Sequence, residues 1–180
     1  MNVLIFNSLD AYYLLVHPCF PVLPPPSALN QGTEPGSTVQ ETVVAHSESP
    51  LVHALATLLA LVPKRAEYTH AARHDCAEHC SELALRAIDR DMDAAGVFTR
   101  RRFHKDVPVY LESTIASFLV AVYEYNYRGS MMRARTRMAS VITMAMDLGL
   151  HDIDVETTTD SECKQRAWSM IVSASNCLVA

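Results

Sequence analysis

Residues 108–149, PVYLESTIASFLVAVYEYNYRGSMMRARTRMASVITMAMDLG, decide the fold class. Pro108 is placed to open a helix, because proline is tolerated in the first turn, where no backbone donor is needed. Leu111, Ile115, Phe118, Leu119 and Val122 then recur at three- and four-residue steps, which is one stripe of an α-helix. Gly129 punctuates. The period resumes from Met131 to Leu148, with Ala134, Met138, Val141, Ile142 and Ala145 on one side. Gly149 stands where a helix end favours a left-handed residue. Two helices joined by a short turn predict a helical hairpin.

The same reading extends in both directions. A long helix is expected from about Ala66 to Ala94, rich in Ala, Glu, Arg and Leu and closed by Gly96. Ser49-Pro50 reads as an N-cap with proline at the first helical position, and that helix runs to Val62 before Pro63. Val3, Ile5, Phe6, Leu9, Tyr12, Tyr13 and Val16 place a helix over residues 3–16, stopped at His17-Pro18. Cys19 to Leu29, with Pro21, Pro24, Pro25 and Pro26, is expected to be extended and irregular. Residues 30–49 read as a polar linker. Thr157 to Ser161 offers caps for a last helix, Glu162 to about Leu178, with Trp168, Ile171, Val172, Ser175 and Leu178 as its apolar side. Either the sequence continues beyond this apolar helix, or the helix docks back on the bundle. Thr42-Val43-Val44 is the nearest approach to a strand and stands isolated. The expected class is all-α, with consecutive antiparallel helices as helical hairpins or a superhelical stack. Its parts are an N-terminal helix and Pro-rich segment over 1–29, a linker over 30–49 and a helical domain over 50–180.

Composition narrows the function classes. The chain has 180 residues, 49% hydrophobic and 19% charged, with a net charge of −5. No Lys or Arg precedes Lys64, and Asp10, Glu34, Glu41 and Glu48 make that segment acidic. A basic DNA-reading arm at the amino end is therefore excluded. Five widely spaced cysteines with no Cys-x-x-Cys are not a disulfide framework and predict a reducing compartment, cytosol or nucleus. The longest apolar run, Leu51 to Val62, falls short of the ~20 residues a spanning helix needs, so no membrane partner is expected.

His70, His74, Cys76, His79 and Cys80 are the most tempting metal ligands. At ~100° per residue, His70 and His74 share one face of a helix while Cys76 and Cys80 share another. A four-ligand site would require a broken helix, so these residues are read as surface histidines and core-facing cysteines, with no metal. Arg100-Arg101-Arg102-Phe103-His104-Lys105 reads as a solvated basic loop. Asp89, Asp91 and Asp93 read as polar surface. The five methionines between Met131 and Met146 read mainly as core filling. No nucleophile motif or phosphate-cradling glycine loop occurs, so no catalytic or cofactor-binding residue is assigned.

Two stretches resemble one family. Tyr12-Tyr13-Leu14-Leu15-Val16-His17-Pro18-Cys19-Phe20-Pro21-Val22-Leu23 resembles the opening motif of the fungal-specific transcription factor domain, the middle homology region of fungal zinc-cluster regulators. Tyr123-Glu124-Tyr125, Gly129 and Ala145-Met146-Asp147-Leu148-Gly149-Leu150-His151 are similar to its Tyr-Glu…Gly…Ala-x-x-Leu-Gly-Leu-His signature. Glu162 and Lys164-Gln165-Arg166-Ala167-Trp168 resemble its Glu…Arg-Arg-x-Trp helix. These matches occur in family order over nearly the whole chain. Arg135 stands where the family commonly has Trp, and Thr143 where an Arg is frequent. The resemblance implies a regulatory piece of a transcription factor, in the nucleus, or in the cytosol for a shortened chain. It implies protein partners in the transcription machinery or self-association. DNA contact and zinc belong to a six-cysteine segment that this sequence does not contain. The alternative is a free-standing α-helical interaction module.

Overall fold

The computed structural model describes residues 11–24, 48–62, 69–94, 102–104, 106–152 and 159–179. The expectations for residues 3–10, Pro25 and Pro26, the linker up to residue 47, Pro63, residues 66–68, Gly96, Arg100, Arg101, Lys105 and Thr157 lie outside them. Every regular element among the described residues is helical. A π-helical segment, Tyr12–Val16, comes first. Five α-helices follow: α1 Pro50–Ala60, α2 His70–Asp93, α3 Val109–Asn126, α4 Met131–Asp147 and α5 Thr159–Val179.

Helix starts follow local chemistry. Ser49 caps α1: its hydroxyl oxygen accepts from the Leu51 N–H at 3.2 Å, and Pro50 fills the first turn. Thr69 caps α2 in the same way, accepting from the Ala72 N–H at 3.2 Å. The end of α4 is a Schellman turn. Gly149 adopts φ 65°, its N–H reaches Met146 O at 2.9 Å, and the Leu150 N–H reaches Ala145 O at 2.9 Å. Leu150 and Ala145 are both buried, which supplies the apolar contact that accompanies this cap.

α3 is the central helix. It packs against α1, α2, α4 and α5. Every residue from Leu111 to Glu124 is buried, so the five-residue stripe read from the sequence is only part of what it hides. α1 is sealed against α2 and α3, with nine of its eleven residues buried. α4 presents Ala134, Met138, Val141 and Ala145 inward, as the spacing predicts, with Ile142 half-buried beside them.

Two readings of helix faces are corrected. The buried side of α5 is Cys163, Ala167 and Ile171, backed by Met170 and Ala174. That face lies about a quarter turn from the expected one. Small residues let α5 approach α4 and α3 closely, while Trp168 flanks the seam and Val172 is exposed. The methionines of α4 are not mainly core: Met138 is buried, but Met131, Met132 and Met146 are exposed. They fall off the face that α3 covers.

Candidate functional site

The segment from Tyr12 to Leu23 folds into a knot whose centre is the Tyr12 hydroxyl. That group donates to Phe20 O at 2.9 Å and accepts from the Leu23 N–H at 3.0 Å. His17 Nδ1 lies 3.1 Å away. With the hydroxyl hydrogen committed to Phe20, Nδ1–H is the donor to Tyr12, which fixes the imidazole tautomer. In an α-helix, residues five apart point about 140° away from one another. The wider π-helical turn, closed by the His17 N–H on Tyr12 O at 2.8 Å, brings Tyr12 and His17 to one side. This is where the expected α-helix differs, although it stops before His17-Pro18 as read.

Neighbouring contacts complete the knot. Tyr13 donates its hydroxyl to Pro24 O at 2.7 Å. The Tyr12, Tyr13 and His17 rings meet edge-on or tilted at 5.2–5.5 Å. Phe20 lies edge-on to Phe118 of α3 at 5.9 Å and so pins the knot to the central helix. Val16, Val22 and Leu23 are buried, Pro21 is half-buried, and Pro18 is exposed at the turn. Burial raises Tyr12 to about 12. Burial, then the positive field of Arg166, lowers His17.

The second half of the signature forms joints between helices. Glu124, almost fully buried, takes a bidentate pair from Arg137 of α4, Nε to Oε2 and Nη2 to Oε1, both at 3.1 Å. Tyr123 is buried beside it, and its hydroxyl has no hydrogen-bond partner. Gly129 turns the chain between α3 and α4 at φ 62°. Leu148, Gly149 and Leu150 make the end of α4. His151 and Trp168 meet across the α4–α5 junction, ring centroids 6.1 Å apart. Arg166 sits on α5, and its Nη1 is enclosed without an acceptor.

Sequence reasoning missed a buried carboxylate. Glu112 of α3 is 0% exposed. It accepts from the Ser49 hydroxyl and from the Phe103 N–H, both at 2.7 Å. A Glu in the first turn of a helix is ordinary; only the fold shows that three segments meet on it. Part of the basic run is thereby held rather than solvated. Phe103 packs against the core and His104 lies 3.9 Å from Asp106, while Arg102 is exposed. Asp91 likewise is not plain surface, because it accepts from the Ser113 hydroxyl.

α2 is unbroken through the five candidate metal ligands, so they keep the separate faces that helical spacing gives them. His70 and His79 are exposed, while His74, Cys76 and Cys80 are half-buried. Burial, reinforced by the neighbouring Cys76, pushes the Cys80 thiol up to about 12, and burial pushes Cys163 up to about 11. Thiols so raised are poor nucleophiles. Among the described residues no group of three or more His, Cys, Asp or Glu is placed to hold a metal ion, and no helix is long and apolar enough to cross a membrane. Comparison with protein-family models, curated proteins and solved structures returned no match.

Proposed function

We propose that this chain is the regulatory, middle-homology region of a fungal zinc-cluster-type transcription factor, acting on transcription without a DNA-reading segment of its own. What supports the reading is where the signature residues fall. Tyr12, His17 and Phe20 tie the knot onto α3, Glu124 joins α3 to α4, and His151 meets Trp168 at the next junction. Residues of one ordered motif set thus hold successive helices together, which is what a helical scaffold domain requires of its recurring positions. Nuclear placement follows from the same reading. Zinc belongs to the cysteine segment that the family carries elsewhere, and the partners are proteins of the transcription machinery. The neighbouring genomic sequence tests it. An in-frame Cys-x-x-Cys-x₆-Cys pattern upstream is expected, and its absence counts against the proposal.

The exposed Met131, Met132 and Met146 favour a second reading, a free-standing helical interaction module, since methionines adapt to varied partner surfaces. Sedimentation of the 180-residue chain separates the two. Concentration-dependent assembly that Met132→Lys abolishes would favour the second.

A further inference from the structure

The outward face of α4 carries a second periodic stripe. Met132, Thr136, Ala139, Thr143 and Met146 follow one another at steps of four, three, four and three residues, the seam spacing of a coiled coil. All five are exposed, Met132 at 75% and Met146 at 52%. Among the described elements α4 packs only against α3 and α5, and it buries Ala134, Met138, Val141 and Ala145 on the opposite side. A helix held in the bundle by one face thus presents a coiled-coil seam on the other.

Covering that seam strands no hydroxyl donor. Thr136 donates to Met132 O at 2.9 Å, Ser140 to Thr136 O at 3.2 Å and Thr143 to Ala139 O at 3.0 Å. Their hydrogens are committed to the carbonyls of α4 itself, so excluding water leaves none of them unpaired. The small side chains in the middle let a second helix come close, and a methionine at each end adapts to what it meets. The flanking charges say which helix fits. Arg133, in the first turn, and Asp147, the last residue of α4, are both exposed and stand on the same flank of the seam. Each opposes the dipole of its own helix, which favours acids at the N-terminus and cations at the C-terminus. An antiparallel neighbour reverses this, because its C-terminal end lies beside Arg133 and its N-terminal end beside Asp147.

We propose that α4 pairs antiparallel with α4 of a second copy of this chain, around a twofold axis beside Ser140. In that register Thr136 lies against the partner's Met146, Ala139 lies against the partner's Thr143, and Arg133 reaches the partner's Asp147. The symmetry repeats each contact, so the dimer holds two such ion pairs. A parallel pair would instead set Asp147 beside the partner's Ile142 and match no charges within the helix. The 17 residues of α4 make a seam ~25 Å long. One helix pair of that length falls below the about 1,200–2,000 Å² that stable complexes bury, so a reversible dimer with a micromolar Kd is expected. The inference rests on the interaction-module reading and deepens it, naming the partner, the helix and its direction.

The test is sedimentation equilibrium of the full 180-residue chain at low salt, from micromolar to submillimolar concentration, where a monomer–dimer equilibrium is expected. Arg133→Asp and Asp147→Arg, each alone, set like charges across the pair at both ends and should weaken the dimer by about tenfold. Mixing the two variants restores opposite charges at both ends and should give a heterodimer as tight as the parent dimer. Both positions are exposed, so circular dichroism should show the helical fold unchanged in each variant. Assembly that the single variants leave unchanged, or that mixing does not rescue, overturns the antiparallel pair and leaves the interaction-module reading standing. A chain that sediments as a monomer throughout overturns both.

Discussion

Glu112 offers the sharpest test of how the bundle is tied. Its carboxylate is fully buried and accepts from Ser49, which caps α1, and from the Phe103 backbone, which leads into α3. Glu112→Ala removes both acceptors at once. A buried donor left without its acceptor costs about 1–3 kcal/mol, and both the Ser49 hydroxyl and the Phe103 N–H would be left facing protein. A loss of about 3–5 kcal/mol is expected, a large share of the ~5–15 kcal/mol typical of a folded domain. Urea unfolding reads it directly. At a slope of about 2 kcal/mol/M, the midpoint should fall by roughly 1.5–2.5 M. Glu112→Gln keeps one oxygen for the Phe103 N–H and should lose about half as much. Ser49→Ala removes the cap as well, at about 1–2 kcal/mol. Because Ser49 and Glu112 share one bond, the double variant should be less destabilised than the sum, with a coupling of about 1 kcal/mol or more. Glu112→Ala within 0.5 kcal/mol of the parent, the range of ordinary surface changes, would refute the three-segment tie. Strict additivity would refute the shared bond.

Four further outcomes are expected. Tyr12→Phe and Tyr123→Phe delete the same hydroxyl with opposite consequences in thermal and urea unfolding. The first strands the Leu23 N–H and costs about 1–3 kcal/mol, while the second removes an unpartnered group and is neutral or stabilising. Tyr12 also sets an alkaline limit. Its folded pKa of about 12 exceeds the ordinary 10, so its contribution is whole below pH 10 and is lost as pH rises through 12, a slope that Tyr12→Phe should flatten. Arg137→Met leaves the buried Glu124 charge alone and should cost about 3–5 kcal/mol by chemical denaturation. Gly149→Ala meets no atom within 4 Å but must hold φ 65°, so calorimetry should show a loss of about 1–2 kcal/mol from backbone strain alone.

Local chemistry was readable where it acts over a few residues. Ser49-Pro50 announces the start of α1, Gly149 the end of α4, and the spacing of Ala134, Met138, Val141 and Ala145 the face of α4. Periodicity found α3 but only one stripe of its burial, because it detects one apolar face, and a helix packed against four neighbours hides its other sides as well. Nothing local marks Glu112 and Glu124 as buried: Ser49 lies 63 residues from Glu112, and Arg137 lies 13 from Glu124. On α5 the large side chains Trp168 and Val172 drew the apolar face, whereas small Cys163 and Ala167 fill the close contact. The Tyr-Tyr…His-Pro-x-Phe-Pro stretch was visible as a motif, but its meaning depends on a π-helical turn that no α-helical wheel contains. The unpaired Nη1 of Arg166 left no trace in the sequence at all.

The regulatory reading faces its most direct trial in a tethered reporter. The 180-residue chain is placed between a heterologous DNA-binding domain and a strong activation domain, and compared with an unstructured spacer of the same length. A regulatory module should lower or tune reporter output, and the unfolding-prone Glu112→Ala variant should relieve that effect at equal protein level. Output equal to that of the spacer, with the folded chain present in the nucleus, would contradict the account.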